Sequence, residues 1–184
     1  MQKTGQAYGE RPVQFPYPTG LSNLMQVAWV TPNLDRTMDQ FGQRYGIPEF
    51  FATEVTFPAR YFDETGDISI RMALANIDNM QIELIEPAGG LDRIYRDVLP
   101  SDGRHANVFH HVCVKVNGSL ADWNAHIART EETSPVRYTG DAGPDVKFAY
   151  TDERATLGIW LEHVWYEDAH FARFAESIPT YHSA

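Results

Sequence analysis

The sequence predicts an α+β fold in which two βαβββ modules follow one another along the chain. A strand followed by an amphipathic helix occurs twice, first from Met25 and again from His110. Three further strand-like runs follow each helix, and the last run of each set carries a glutamate at its fourth position. With 184 residues, of which 43% are hydrophobic, the chain is long and apolar enough to bury a sizeable core.

Residues 1–21 are expected to form an N-terminal arm, and residues 22–87 the first module. The arm is rich in Pro, Gly and polar residues and lacks the apolar segment of a signal peptide. The strand MQVAWV is followed by apolar residues at helical spacing, which are Leu34, Met38, Phe41 and Tyr45. Gly46 is expected to end this helix, because glycine readily adopts the left-handed conformation. Three strand-like runs then complete the module: 54–57, 67–77 and 80–87.

Residues 88–106 read as a linker with a short helix, and residues 107–166 repeat the pattern of the first module. The strand FHHVCVKV leads into a helix for which Ser119 is a suitable N-cap. The apolar positions of this helix are Leu120, Trp123 and Ile127. Three strand-like runs complete the second module: 135–138, 145–153 and 159–166. Residues 167–184 are expected to hold a closing helix, ended by Pro179, and a tail.

Aligning the two modules places Gln26 on His111 and Glu83 on Glu162. Each of these four residues is a polar residue within a mostly apolar run. A buried carboxylate without a partner costs several kcal/mol, so four polar residues at equivalent positions indicate a shared partner. Two carboxylates, an imidazole and an amide oxygen suit a divalent cation, and Zn, Ni, Co or Mn suit this set better than Ca.

Strand geometry predicts which neighbouring side chains enter this site. Because successive side chains of a strand point to opposite faces, His111 is expected to face inward and His110 outward. Likewise Glu162 should face inward, while His163 and Glu86 face away. Each residue also has a structural interpretation, as a hydrogen-bonded core histidine or as a carboxylate on the solvent face of an antiparallel sheet.

Four further residues are candidates for contact with a substrate. Arg71 stands in an apolar strand, where it either binds an anionic substrate group or lies on the surface. Cys113 shares the face of His111 and is either close to the site or a small buried hydrophobe. Phe109 and Trp160 are either pocket walls or ordinary core aromatics.

Composition excludes several classes of function. A net charge of -10 and a pI of about 5.0 argue against nucleic acid or an anionic membrane as a partner. A single cysteine, Cys113, excludes an intramolecular disulfide. No apolar run approaches the roughly 18 residues of a membrane span. We therefore expect a cytoplasmic protein that acts on a small molecule.

These motifs resemble the vicinal oxygen chelate superfamily, which includes glyoxalase I, methylmalonyl-CoA epimerase, extradiol dioxygenases and bleomycin-resistance proteins. The resemblance spans roughly residues 22–168 and rests on MQVAWVTPNLDRTMDQF, QIELIEPAGG, FHHVCVKV and LGIWLEHV. The stretch from IELIEP to HHVCVKV is most similar to the epimerase-type branch. The resemblance implies mixed sheets curled around one metal site, and by matching position it implies the ligands Gln26, Glu83, His111 and Glu162.

The resemblance also implies a chemistry. In this superfamily a divalent metal binds substrate oxygens and stabilises an enolate while a metal-bound carboxylate removes a proton. By position, Glu162 is the first candidate for this base and Glu83 the second. The expected enzyme is an isomerase, epimerase or lyase acting next to a carbonyl on a small or acyl-thioester substrate. Gln26 replaces the histidine usual in epimerase-type and dioxygenase-type members, and the resulting set resembles zinc-type glyoxalase I.

Two other functions stay open at this point. An extradiol-type dioxygenase would use Fe(II), which favours two histidines and one carboxylate, whereas this set offers one histidine. A non-catalytic binding protein of the bleomycin-resistance type would lack a full ligand set. A homodimer is also expected from the resemblance, which leaves open whether the site lies within one chain or across two.

Overall fold

Residues 20–182 are described by the computed structural model of the chain, and within them it contains nine strands and four helices. In chain order these are β1 (Leu24–Val30), α1 (Leu34–Tyr45), β2 (Phe51–Tyr61), β3 (Glu64–Ile77), β4 (Met80–Gly90), α2 (Arg93–Arg96), β5 (Val108–Lys115), α3 (Leu120–Thr133), β6 (Val136–Asp141), β7 (Val146–Glu153), β8 (Ile159–Tyr166), α4 (Asp168–Ser177) and β9 (Thr180–Tyr181). Most of the predicted N-terminal arm, residues 1–19, lies outside the described residues, as do residues 183–184.

The strands form one mixed sheet that curls into a barrel. The strand order is β2-β6-β7-β8-β5-β1-β4-β3-β9, and β2 also pairs with β3, so β1 to β8 close into a ring. The first and last strands of each module pair in parallel, while β1 and β5 join the modules in antiparallel fashion. This confirms the predicted α+β fold of two βαβββ modules.

The registers of the central strands reproduce the repeat found in the sequence. Val27 of β1 pairs with Val112 of β5, so Gln26 and His111, each one residue earlier, are related by an approximate two-fold axis. Ala28 of β1 lies beside Glu83 of β4. Its counterpart Cys113 of β5 lies beside Glu162 of β8 in the same way.

Helix α1 covers the outside of the first module. The side chain of Asn33 accepts a hydrogen bond from the Arg36 amide, and Gly46 ends the helix in the left-handed conformation with φ 71°. Leu34 and Phe41 pack with buried residues of β3 and β4 in a second, outer core. The predicted helix and its terminating glycine are thus confirmed, whereas Tyr45, one of the four residues assigned to its apolar face, is 65% exposed.

Helix α3 covers the outside of the second module in the same way. Ser119 and Asp122 form a reciprocal capping box at its start, which confirms Ser119 as the N-cap. Trp123 is the buried anchor of the helix and packs in a third core with Trp165 of β8 and Ala149 of β7.

The barrel interior is a separate core, to which both modules and the linker helix contribute aromatic and aliphatic side chains. Its buried members include Phe57, Tyr95, Tyr138, Tyr150 and Trp160. The ring of strands closes at a short seam between β2 and β6, where three residue pairs are in register: Ala59 with Gly140, Arg60 with Thr139 and Tyr61 with Tyr138.

Helix α4 is the predicted closing helix, and it packs on the barrel through aromatic residues. Phe174 lies against Tyr166 of β8 and Phe51 of β2, and Phe171 lies under the ammonium group of Lys115 at 3.8 Å. The chain then adds β9 alongside β3. Among the helices of residues 20–182, none is long and apolar enough to cross a membrane.

Candidate metal centre

Three of the four predicted ligands come together inside the barrel. Glu83, His111 and Glu162 are buried, and their ligand atoms lie within 4.8 Å of one another. His111 Nε2 is 3.3 Å from Glu83 Oε2 and 3.2 Å from Glu162 Oε2. Two ligand atoms each about 2.1 Å from a metal ion, at right angles, are roughly 3.0 Å apart. The distances from His111 to the two carboxylates therefore match the spacing of ligands around one shared ion.

The chemistry of this donor set fits a divalent cation. Within the described part of the chain, His111 Nε2 is buried and makes no hydrogen bond of good geometry, although both carboxylates are close to it. An imidazole nitrogen and two carboxylate oxygens are ligands that Zn and similar metals accept. A dipositive ion would also neutralise the two buried carboxylates, which are costly to leave without a cation.

A proton competes with such an ion for His111. Burial lowers the pKa of His111, but the contacts with Glu162 and Glu83 outweigh burial and raise this pKa to about 9. Burial raises the pKa of Glu83, and the neighbouring His111 opposes this rise. Near neutral pH the metal-free site therefore holds a proton on His111, which a metal ion must displace.

Gln26 faces the same interior, beside Gln81 and Cys113 in the neighbouring strands. Its amide nitrogen donates to Gln81 Oε1 at 2.8 Å, and the amide nitrogen of Gln81 donates to Asn76 Oδ1 at 3.2 Å. This chain of hydrogen bonds uses the nitrogen of Gln26 and leaves its Oε1 atom as a possible ligand. The role of Gln26 as the fourth ligand stays a prediction.

The expectation that His110 faces outward is wrong. In β5, Phe109 and His111 pair with consecutive residues of β1, so His110 is the extra residue of a β-bulge. The bulge turns His110 inward, where it is 2% exposed and stacks on Trp160 with an interplanar angle of 25°. Strict alternation of side chains does not hold at a bulge, and both neighbouring histidines therefore enter the barrel.

His110 contacts both the candidate ligand and the linker. Its Nδ1 atom is 2.9 Å from Nδ1 of His111, and its Nε2 atom is 2.9 Å from the carbonyl oxygen of Ile94. Burial and the charge of His111 lower the pKa of His110 to about 3. His110 is therefore neutral and lies directly behind the ring of His111.

Two other polar neighbours lie outside the barrel, as predicted. His163 contacts His126 of α3, with 3.0 Å between Nδ1 and Nε2. Glu86 accepts a hydrogen bond from the backbone amide of Leu34 at 2.7 Å and another from Arg71 at 2.9 Å. Both side chains serve to hold helices against the outer face of the sheet.

The four candidate substrate residues divide into two pairs. Arg71 lies on the outer face, where it forms ion pairs with Asp35 and Glu86, so the structure does not bring it to the site. Phe109 is 43% exposed and packs on the ring of Trp29 on the outer face of the sheet. Cys113 and Trp160 belong to the interior core.

Cys113 is a neutral thiol in this setting. Burial, together with the negative charge of Glu162, raises the pKa of Cys113 well above its usual range. Its place beside Glu162 in the register agrees with either a small buried hydrophobe or a residue at the edge of the site.

Sequence reasoning did not single out Tyr138 and Tyr150, two tyrosines of the barrel interior, the second of which contacts His111. The ring of Tyr150 is 5.1 Å from that of His111, and its hydroxyl lies 3.0 Å from the hydroxyl of Tyr95. The hydroxyl of Tyr138 is buried without a hydrogen-bond partner among residues 20–182. Tyr138 and Tyr150 alternate with outward residues in β6 and β7, a period-two signal that could have placed them inside.

The fold and the site together define a class of protein. Its members have two βαβββ modules related by an approximate two-fold axis, with buried side chains of metal-ligand type on the strands where the modules meet. Within this class, the sequence profile of the Glyoxalase/Bleomycin resistance protein/Dioxygenase superfamily matches residues 25–150, well over half of the chain. The chain belongs to this superfamily. No curated protein sequence matches it.

Several solved structures share the fold at low sequence identity. A variant of Streptomyces coelicolor methylmalonyl-CoA epimerase in complex with 2-nitronate-propionyl-CoA is 17% identical, with a TM-score of 0.53 over 79% of this chain and 95% of that chain. A hypothetical protein of Bacillus halodurans is 14% identical, with a TM-score of 0.53 over 79% and 94% of the two chains. Methylmalonyl-CoA epimerase from Mycobacterium tuberculosis is 16% identical, with a TM-score of 0.50 over 82% and 92%.

Proposed function

We propose that this chain is a metal-dependent enzyme that moves a proton on a carbon next to a carbonyl group, as an isomerase, an epimerase or a lyase. The observation that carries the proposal is the buried set of Glu83, His111 and Glu162, whose ligand atoms lie within 4.8 Å of one another, with His111 Nε2 3.3 Å and 3.2 Å from the two carboxylates. Gln26 Oε1 is proposed as the fourth ligand. Zn, Ni, Co or Mn suits this set of oxygen and nitrogen donors.

When bound, the metal would supply a Lewis acid that stabilises negative charge on a substrate oxygen. The ligand chemistry favours this over redox chemistry with Fe(II), because non-haem oxygenases favour two histidines with one carboxylate and this cluster has the reverse composition. Proton transfer next to a carbonyl is the reaction class that needs such charge stabilisation together with a nearby base.

The chain supplies the base and its setting. We propose Glu162 as the residue that accepts the proton and Glu83 as the alternative. Both carboxylates are buried in the barrel interior beside apolar and aromatic residues, which would keep water away from the reacting group. Cys113 and Trp160 are proposed to border the reacting group from the same interior face.

The proposed substrate is a small carbonyl compound or an acyl thioester. The thioester is supported by the fold shared with epimerases, one of which was solved with 2-nitronate-propionyl-CoA. The acidic surface suits neither nucleic acid nor anionic membranes, so a small molecule is the proposed partner. A homodimer is also proposed, and sedimentation velocity would measure the oligomeric state.

Solvent exchange tests this proposal without knowledge of the natural substrate. The protein, loaded in turn with Zn, Ni, Co and Mn, is incubated in deuterium oxide with acyl-CoA thioesters and α-hydroxy carbonyl compounds. We expect metal-dependent deuterium incorporation next to the carbonyl, retained in His163→Phe and lost in Glu162→Gln. Metal content of each variant is measured in parallel, so that loss of the base is distinguished from loss of the ion.

Fully loaded protein that exchanges no proton in any of these compounds would contradict the proposal. Oxygen consumption by the iron-loaded protein with catechols would assign the site to dioxygenase chemistry instead. Exchange that survives in Glu162→Gln but is lost in a metal-retaining Glu83→Gln would move the base to Glu83.

A further inference from the structure

Two neighbouring histidines, His110 and His111, enter the barrel at one β-bulge, and of these two His111 belongs to the proposed set of metal ligands. We propose that the other, His110, is a positioning residue that fixes the ring of His111 for metal binding. This inference rests on the proposed metal site. It concerns the hydrogen bonds behind the ligand, which that proposal does not use.

The contact with the linker determines which nitrogen of His110 carries hydrogen. The carbonyl oxygen of Ile94 can only accept a hydrogen bond, and it lies 2.9 Å from His110 Nε2. His110 Nε2 is therefore the donor. A neutral imidazole has one N–H group, so the Nδ1 atom of His110 has a free lone pair and can only accept.

The contact between His110 and His111 then determines which nitrogen of His111 carries hydrogen. His110 Nδ1 lies 2.9 Å from His111 Nδ1, so the hydrogen between them belongs to His111. His111 then keeps a hydrogen on Nδ1, so the proton that an ion displaces is the one on Nε2, the nitrogen that faces Glu83 and Glu162. Metal-binding histidines commonly donate their other nitrogen to a fixed acceptor, which sets the tautomer and the ring orientation.

The opposite direction of the hydrogen bond between His110 and His111 would obstruct metal binding. If His111 Nδ1 accepted, a neutral His111 would carry its hydrogen on Nε2, where it would occupy the position of the ion. His110 would then need hydrogens on both nitrogens and would be a cation at 2% exposure between the rings of Tyr95 and Trp160. Burying such a cation among apolar rings is costly.

The surroundings of His110 hold its ring in place. Trp160 stacks on the His110 ring, and the centroid of the Tyr95 ring lies 5.1 Å from that of His110. Ile94 and Tyr95 belong to α2 and are 2% and 1% exposed, so the acceptor carbonyl is itself rigidly packed. The linker helix therefore takes part in orienting the ligand of the second module.

The first module provides an internal comparison. A register shift between Leu24 and Gln26 makes Met25 the extra residue of an equivalent bulge, and Met25 packs against the same interior core. Both modules thus turn the residue before the ligand position inward. The amide of Gln26 has no tautomers, and the residue before it is the apolar Met25. Gln26 is oriented instead by its hydrogen bond to Gln81. His111, which needs a fixed tautomer, has a histidine.

Three substitutions test the inference through metal affinity. His110→Phe keeps the ring stacked on Trp160 but removes the acceptor. His110→Asn places an amide oxygen near the former Nδ1 atom. His163→Phe removes a buried histidine next to Glu162 on the outer face and serves as the matched control. The dissociation constant for Co²⁺ is measured for each by competition with a chelator.

We expect His110→Phe to bind the ion roughly 10- to 100-fold more weakly, the range seen when a hydrogen-bond partner behind a metal ligand is removed. His110→Asn should recover most of the loss, and His163→Phe should bind like the wild type. A purely structural role for His110 would not predict rescue by asparagine. Equal affinity of His110→Phe and the wild type would overturn the inference, even if the variant were less stable.

Long-range ¹H–¹⁵N spectra of the histidine rings supply a readout that needs no bound metal. We expect His110 as the Nε2–H tautomer in both metal-free and loaded protein, and His111 as the Nδ1–H tautomer when loaded. His110 found as the Nδ1–H tautomer would overturn the inference. Wild-type protein that binds no ion would instead refute the proposed function, and the tautomer of His110 would then be decided by the spectra.

Discussion

At the scale of single residues, the candidate site depends on strand register. Aligning the two modules by sequence was sufficient to bring Glu83 and Glu162 to equivalent places, because parallel pairing sets each beside the same position of its neighbouring strand. The position of His110 could not be predicted, because a β-bulge has no marker in FHHVCVKV and alternation is the default expectation.

Substitution of single ligands should abolish tight metal binding, since each removes a donor from a three-residue cluster. We expect Glu83→Ala and His111→Ala to bind Zn²⁺ far more weakly than the wild type, by isothermal titration. Glu86→Ala is the matched control, because Glu86 lies on the outer face of the same strand and contacts Arg71 there. Similar losses in Glu83→Ala and Glu86→Ala would mean that the interior register is misassigned.

Metal affinity should depend on pH with a defined sign. The pKa of His111 is raised to about 9 by Glu162 and Glu83, in spite of burial, so below that pH an ion must displace a proton. Each unit of decrease from pH 8.5 to 6.5 should therefore weaken apparent binding by about tenfold. Competition titrations, corrected for protonation of the chelator, check this. A dissociation constant that does not change over this range would contradict the proton on His111.

At the scale of elements, local signals in the sequence predicted the helices well. Ser119 caps α3 as predicted, and Gly46 ends α1 in the left-handed conformation. The first hairpin was harder to predict. β2 spans Phe51–Tyr61, far beyond the weak run 54–57, because its alternating exposed residues dilute the apolar pattern and its pairing with β3 supplies the missing stability.

Gly140 in β6 should be intolerant of a side chain. A Cβ atom there would overlap the ring of Phe148, which packs edge-on against Phe57 across the barrel. We expect Gly140→Ala to lower the free energy of unfolding by about 1–3 kcal/mol, as overpacked cores do. Gly66→Ala is the control, since its Cβ would meet a Leu91 side-chain atom at 3.4 Å. Urea denaturation that finds equal stability for the two variants would contradict this packing.

At the scale of the whole molecule, the ring of strands closes through its weakest contact. The seam between β2 and β6 has three pairs in register, whereas β1 and β5 form a longer ladder at the centre. No feature of the sequence predicted this closure, because pairing between strands far apart in the chain leaves no local pattern. The repeat in the sequence predicted that the two modules meet, which they do through β1 and β5. The β2–β6 seam joins the same two modules on the opposite side of the ring.

This difference should appear in hydrogen exchange. Because fewer backbone pairs hold it, we expect the amides of the β2–β6 seam to exchange through an opening of lower free energy than those of β1 and β5. Native-state exchange followed by mass spectrometry resolves the two regions. Equal protection of the seam and the central ladder would show that the barrel opens as one unit.

The proposed chemistry depends on one divalent ion held among Glu83, His111 and Glu162. Its most direct test is elemental analysis of the purified, untagged protein by plasma mass spectrometry, before and after incubation with Zn, Ni, Co and Mn. We expect about one ion per chain in the wild type and far less in His111→Ala. Wild-type protein that retains none of these ions would contradict it.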